Sequence, residues 1–128
     1  MKNSKLQKML KAHKLWIDSN KKQGEPADFC EADLREVGLR EVDLSEASFY
    51  KTNFRGCDLY KTNFRGCDLR GSDLRETNLR ETDFRGSDLR ETDFRGAELY
   101  KTDFRETDLD FLVRSSLLLW RNTNYRRP

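Results

Sequence analysis

From Phe29 to Leu109 the chain sets Leu or Phe at every fifth position, seventeen times without a gap: Phe29, Leu34, Leu39, Leu44, Phe49, Phe54, Leu59, Phe64, Leu69, Leu74, Leu79, Phe84, Leu89, Phe94, Leu99, Phe104 and Leu109. Two positions earlier stands a small or β-branched residue, from Ala27 and Ala32 through Val37 and Val42 to Thr102 and Thr107, and the residue between is nearly always Asp or Asn. A period of five suits neither common element. Five residues turn an α-helix by about 500°, which scatters the large side chains around its axis, and an odd period in a strand sends them to alternate faces. The backbone must instead turn so that every fifth residue points again at a common axis, as in a coiled solenoid where one repeat makes one side of a coil.

The order small residue, Asp or Asn, Leu or Phe, then two mostly polar residues, running through "ADFCEADLREVGLREVDLSEASFYKTNFRGCDL", resembles the pentapeptide repeat proteins over about two-thirds of the chain. The resemblance implies an all-β solenoid: a right-handed quadrilateral β-helix with four repeats per coil and about four coils, its Leu or Phe and the small residue pointing inward. Residues twenty apart then stack, roughly 4.8 Å apart if coils pair as strands do. The third face is all Leu, at positions 39, 59, 79 and 99, and the interior is filled. Gly38, Ser48 and Glu98 depart from Asp or Asn, and Val37 and Val42 enlarge the small inner position. Three segments are expected: residues 1–26 as a capping helix and loop, 27–111 as the repeats, and 112–128 as a C-terminal helix, cap or dimerisation segment.

A solenoid needs covers for its ends. Leu6, Met9, Leu10, His13, Trp16 and Ile17 recur at helical spacing with Lys5, Lys8, Lys11 and Lys14 elsewhere, which predicts a helix over about 4–19, with Ser4 and Gln7 as a capping box. Capping the first coil is the preferred role; lying on an anionic membrane is the alternative. At the other end Phe111, Leu112, Leu117, Leu118, Leu119 and Trp120 offer more apolar surface than a small lid requires. Some pentapeptide repeat proteins form homodimers through such a segment, so capping and homodimerisation both stand as readings.

Charge adds a pattern to the period. The net charge is +2, yet residues 27–111 carry 14 basic against 21 acidic side chains, between two basic ends. No run is apolar enough for a membrane span and no secretory leader is evident, so a cytoplasmic protein is expected. Three cysteines without metal-ligand spacing give neither a disulfide framework nor a metal site. Catalysis lacks a constellation: His13 sits on the apolar face of the predicted helix, the carboxylates recur where a short side chain can bond the turn backbone, and no phosphate-binding glycine loop exists. Cys57 and Cys67 occupy the inward place and Cys30 an outer one, while Gly56, Gly66, Gly71, Gly86 and Gly96 share a corner place suited to positive φ. No enzyme activity, cofactor or small-molecule substrate is expected.

The outer columns carry the remaining information. Arg35, Arg55, Arg75 and Arg95 would stack beside Asp33, Asp73, Asp93, Glu36 and Glu76; on another face Arg40, Tyr60, Arg80 and Tyr100 alternate beside Glu41, Lys61, Glu81 and Lys101. Such columns suit a ladder of cation–π and ion pairs, and the same groups make a candidate surface for a protein partner. The favoured function is a non-enzymatic scaffold or protein-binding module. The alternative, implied by family members that protect DNA gyrase from quinolones, is an acidic mimic of duplex DNA that binds a type II topoisomerase. Direct nucleic-acid binding through the basic tail is opposed by the acidic body.

Overall fold

The computed structural model describes residues 1–110. Helix α1 spans Asn3–Asp18, and the rest is a stack of coils built by one repeated rule. Every bridge between coils is parallel and joins residues twenty apart, from Asp28 with Ser48 to Asp88 with Asp108. Four five-residue sides therefore separate vertical neighbours. From Phe29 to Leu89 the backbone N–H of the central Leu or Phe donates to the next coil, as Phe64 does to the Asp83 carbonyl at 2.8 Å, and from Ser48 to Asp108 the residue before it donates to the previous one, as Asn63 does to Val42 at 3.0 Å.

Only one residue per side forms a β-bridge because a turn follows at once, although the corner N–H also reaches the next coil, as Lys61 does to the Arg80 carbonyl at 3.1 Å. At most corners the N–H of the next small residue donates to the carbonyl of the large one, for example Cys57 to Phe54 at 2.9 Å, and the last residue of each five takes positive φ. Glycine is not obligatory there. Glu and Lys hold the same left-handed conformation at most corners, as Glu31 does at φ 60° and Lys61 at 56°, although side chains disfavour it by roughly 1–2 kcal/mol. Gly24 is different: at φ 73° a Cβ would collide with the Ala12 carbonyl, so the loop returning along α1 needs glycine.

The large residues fill the axis. Phe29 stacks on Phe49 at 5.4 Å, and Phe64 on Phe84 at 5.3 Å, close to the coil spacing, while Phe54 meets Phe64 edge-on across the interior at 5.7 Å. The small inner residues do more than leave room. Thr62 Oγ1 donates to the Leu39 carbonyl one coil away at 2.7 Å, whereas Thr77 Oγ1 donates within its own coil to Leu74 at 2.7 Å. Cys57 and Cys67 are buried, as expected, yet they act as donors too, to the carbonyls of Leu34 and Leu44. Burial pushes their thiols up, to about 11 and about 12.

Helix α1 covers the first coil. Leu6 joins the buried core and Met9 and Leu10 pack against it, so this face is spent on the repeats and not left for a lipid surface. The predicted capping box does not form: the helix starts one residue earlier, with Lys2 at the cap position making no side-chain cap bond, and Gln7 reaches back to Asn3 Oδ1 at 3.4 Å. A Ser at the second helical position is inside the first turn and cannot cap it. No helix among the described residues is long and apolar enough to cross a membrane.

Candidate interaction surface

The exterior is organised by the Asp or Asn of each repeat. Its Oδ1 accepts the backbone N–H two residues on, as at Asp28 with Cys30, Asp58 with Tyr60 and Asp93 with Arg95, at 3.0–3.2 Å. The short side chain thus fixes the turn, and its second oxygen stays available for the residue that follows. Where that residue is Arg, the guanidinium forks back onto the same carboxylate, and it often reaches the next coil as well: Arg75 pairs with Asp73 at 2.7 Å and with Asp93 at 3.8 Å, and Arg85 with Asp83 at 2.8 Å and with Asp103 at 3.7 Å. These bonds hold the carboxyls of Asp68, Asp73, Asp88 and Asp93 below their usual range, and Asp33, bonded by Arg35, at about 2.

The arginine column is therefore neutralised from within. Arg35 binds Asp33 at 2.8 Å, Arg55 binds Glu76 at 3.2 Å and Arg95 binds Asp93 at 2.7 Å, while Glu36 makes no ion pair among the described residues. The mixed column is less regular than its alternation implies. Tyr60 lies between Arg40, 4.7 Å from the ring centre, and Arg80 at 5.9 Å, and its hydroxyl donates to Glu81 at 2.9 Å. Among the described residues Tyr100, 50% exposed, has only Lys101 over its ring, at 5.3 Å, while Arg80 pairs with Glu98 at 3.5 Å. Lys61 lies over the Tyr60 ring at 5.4 Å, and among the described residues it makes no ion pair with Glu81 or Glu41 beside it. A second cation–π site, Tyr50 with Arg70 at 5.2 Å, was legible in the twenty-residue register, which stacks position 50 on position 70.

The face of Arg40, Tyr60, Arg80 and Tyr100 differs from its neighbours in composition. Arg40, Lys61, Arg80 and Lys101 are matched charge for charge by Glu41, Asp58, Glu81 and Glu98, so the acidity of the repeats lies on the other faces. No group of His, Cys, Asp and Glu able to hold a metal ion occurs among the described residues. Phe111, Leu112, Leu117, Leu118, Leu119 and Trp120, the candidate cap or dimer residues, fall outside the described residues.

Parallel rungs at twenty-residue spacing, turned by a corner every fifth residue, define a β-helical solenoid of five-residue repeats. The chain belongs to the pentapeptide repeat family, whose model, "Pentapeptide repeat region", matches residues 39–112. Among solved structures it is similar to HetL, a pentapeptide repeat protein involved in heterocyst differentiation regulation in the cyanobacterium Nostoc, at 30% identity and a TM-score of 0.55, covering 64% of this chain and 39% of that one. This chain thus spans about two-fifths of the length of HetL. It is also similar to alr5209, a pentapeptide repeat protein of Nostoc, at 21% identity and a TM-score of 0.48, covering 91% of this chain and 93% of that one. Among curated proteins none matches.

Proposed function

We propose that the chain is a rigid, non-catalytic solenoid that binds a protein partner along the face of Arg40, Tyr60, Arg80 and Tyr100. Its coil is right-handed and four-sided, and about four turns give a rod roughly 20 Å long at strand spacing. The observation that carries this reading is the state of that face: Tyr60 is clamped by two arginines and a carboxylate, whereas Tyr100 is half exposed on a charge-balanced surface. Tyr and Arg on a preorganised surface are the residues that supply binding energy at protein interfaces with little ordering cost. HetL, the relative that acts in regulation of differentiation, accords with a role through partners. The test is affinity capture with the native chain and with a Tyr100→Ser, Lys101→Ser double variant. A partner retained by the native chain and lost from the variant is expected; equal retention refutes this face.

The acidity of the repeats favours a second reading, a mimic of duplex DNA that engages a type II topoisomerase. The Arg–Asp forks oppose it, since they neutralise carboxylates within each coil. A supercoiling assay with DNA gyrase showing neither inhibition nor protection at micromolar protein removes this reading. Residues 112–128 either close the far end or join two rods, and light scattering against the chain mass of 15.2 kDa distinguishes the two.

A further inference from the structure

His13, the chain's single histidine, sits where α1 meets the first coil and is 1% exposed. Its Nδ1 accepts the backbone N–H of Ala27, the first residue of the repeats, at 2.9 Å. The neutral ring therefore carries its proton on Nε2, a buried atom without a hydrogen-bond partner. A proton added at Nδ1 has no acceptor, because the Ala27 N–H already points at that nitrogen. A second proton on the ring would set two N–H groups against each other and bury a charge.

The surroundings do not relieve that charge. From the first coil Asp43 and Glu46 favour the proton, as does the backbone of Ser45, but burial outweighs them and lowers the affinity of the ring for a proton. Glu46 is already engaged by Lys21 at 2.7 Å, and Lys21 lies 5.3 Å over the Trp16 ring that packs 5.6 Å from His13. Lys14, next in sequence, pairs with Asp18 at 2.8 Å. Few other contacts fasten the helix: Leu6 is fully packed, Met9 and Leu10 partly, the Met1 amino group donates to the Asp33 carbonyl at 3.0 Å, and the Glu25 N–H bonds Ala12 at 3.2 Å.

We propose that α1 is an acid-released lid with His13 as its latch: a proton on the ring undocks the helix from the first coil and leaves the later coils folded. Release uncovers the apolar top of the first coil, where Ala32, Val37 and Val42 are already only partly covered. A histidine that is harder to protonate when docked stabilises the closed lid fully above its free value of about 6.5, and this contribution is lost as pH falls from there toward the docked value. The arginine-bonded carboxyls of Asp33, Asp68, Asp73, Asp88 and Asp93 are held below the usual carboxylate range, well under the histidine window.

Hydrogen exchange on the full chain tests this, read as protection factors between about pH 7 and pH 5. Protection of the α1 amides is expected to fall by up to about tenfold per pH unit below pH 6.5, with the amides of residues 49–84 unchanged. His13→Asn, whose Oδ1 can accept the Ala27 N–H without titrating, should abolish the pH dependence of α1. The ring signal of the one histidine gives an independent reading in the native chain: its midpoint should lie below about 6.5 and coincide with the loss of α1 protection. A flat α1 profile in the native chain, a parallel loss in the coils, or a ring that titrates while α1 stays protected overturns the proposal.

Discussion

Replacing Thr by Val at two inner positions separates the hydrogen-bonding role of the small column from its size. Thr62 is fully buried, and the Leu39 carbonyl that takes its hydroxyl at 2.7 Å also takes the Val42 N–H at 3.3 Å. Thr62→Val keeps the shape and leaves that carbonyl one partner, so the cost should sit near about 1 kcal/mol. Thr77 donates at 2.7 Å to the carbonyl of fully buried Leu74, which receives no backbone N–H among the described residues. Thr77→Val strands that acceptor, and the cost should rise to about 2–3 kcal/mol. With roughly 3–5 °C of Tm per kcal/mol for a chain of 128 residues, thermal denaturation by circular dichroism should show a drop of about 3–5 °C for the first variant and clearly more for the second. Equal losses, or a larger loss at position 62, would refute the reasoning that the buried carbonyls and not side-chain volume set the cost.

Other outcomes follow from the same geometry. Gly56→Ala should destabilise by about 1–2 kcal/mol, since φ is 75° and the new Cβ would stand 3.3 Å from Glu36 Cγ, whereas Glu91→Gly, at φ 61°, should be neutral or stabilising by up to about 1 kcal/mol; chemical denaturation giving both changes the same sign would contradict this. Tyr60→Ser should cost about 2 kcal/mol and Tyr100→Ser less than about 0.5 kcal/mol, because only Tyr60 is held between two arginines and bonded to Glu81; similar Tm values for the two variants would count against a structural ladder. A thiol reagent at about pH 8 should label Cys30 in the native protein and all three cysteines after denaturation, since Cys57 and Cys67 are buried and their thiols resist ionisation. Rapid native labelling of more than one thiol would mean that the coils open readily.

The period made the fold legible, since no ordinary helix or strand returns a side chain to one direction every five residues. The inward column follows from it, the twenty-residue register came from the resemblance to pentapeptide repeat proteins and the turn-bonding role of Asp from its short side chain, and the parallel bridges and the Oδ1 bonds bear these out. The apolar face of residues 6–17 likewise sufficed to place a helix over the first coil. The candidate surface was legible only as columns. Arg80 lies 5.9 Å from the Tyr60 ring and pairs with Glu98 at 3.5 Å, so it serves the lower ring and not Tyr100, and the column alone does not say which of its two tyrosines an arginine will meet.

What the sequence determined alone was a coiled path with one repeat per side and its inward column, because each fifth residue must return to a common axis and every repeat reinforces the rule. Tertiary structure alone decided the partners of groups with several options: the corner Glu and Lys forced into positive φ, the hydroxyls split between carbonyls of their own coil and of the neighbouring one, and the ring of His13 placed with one nitrogen bonded and the other bare. The groups of neighbouring coils that enter these choices lie twenty or more residues apart in the chain and meet only after the coils have stacked.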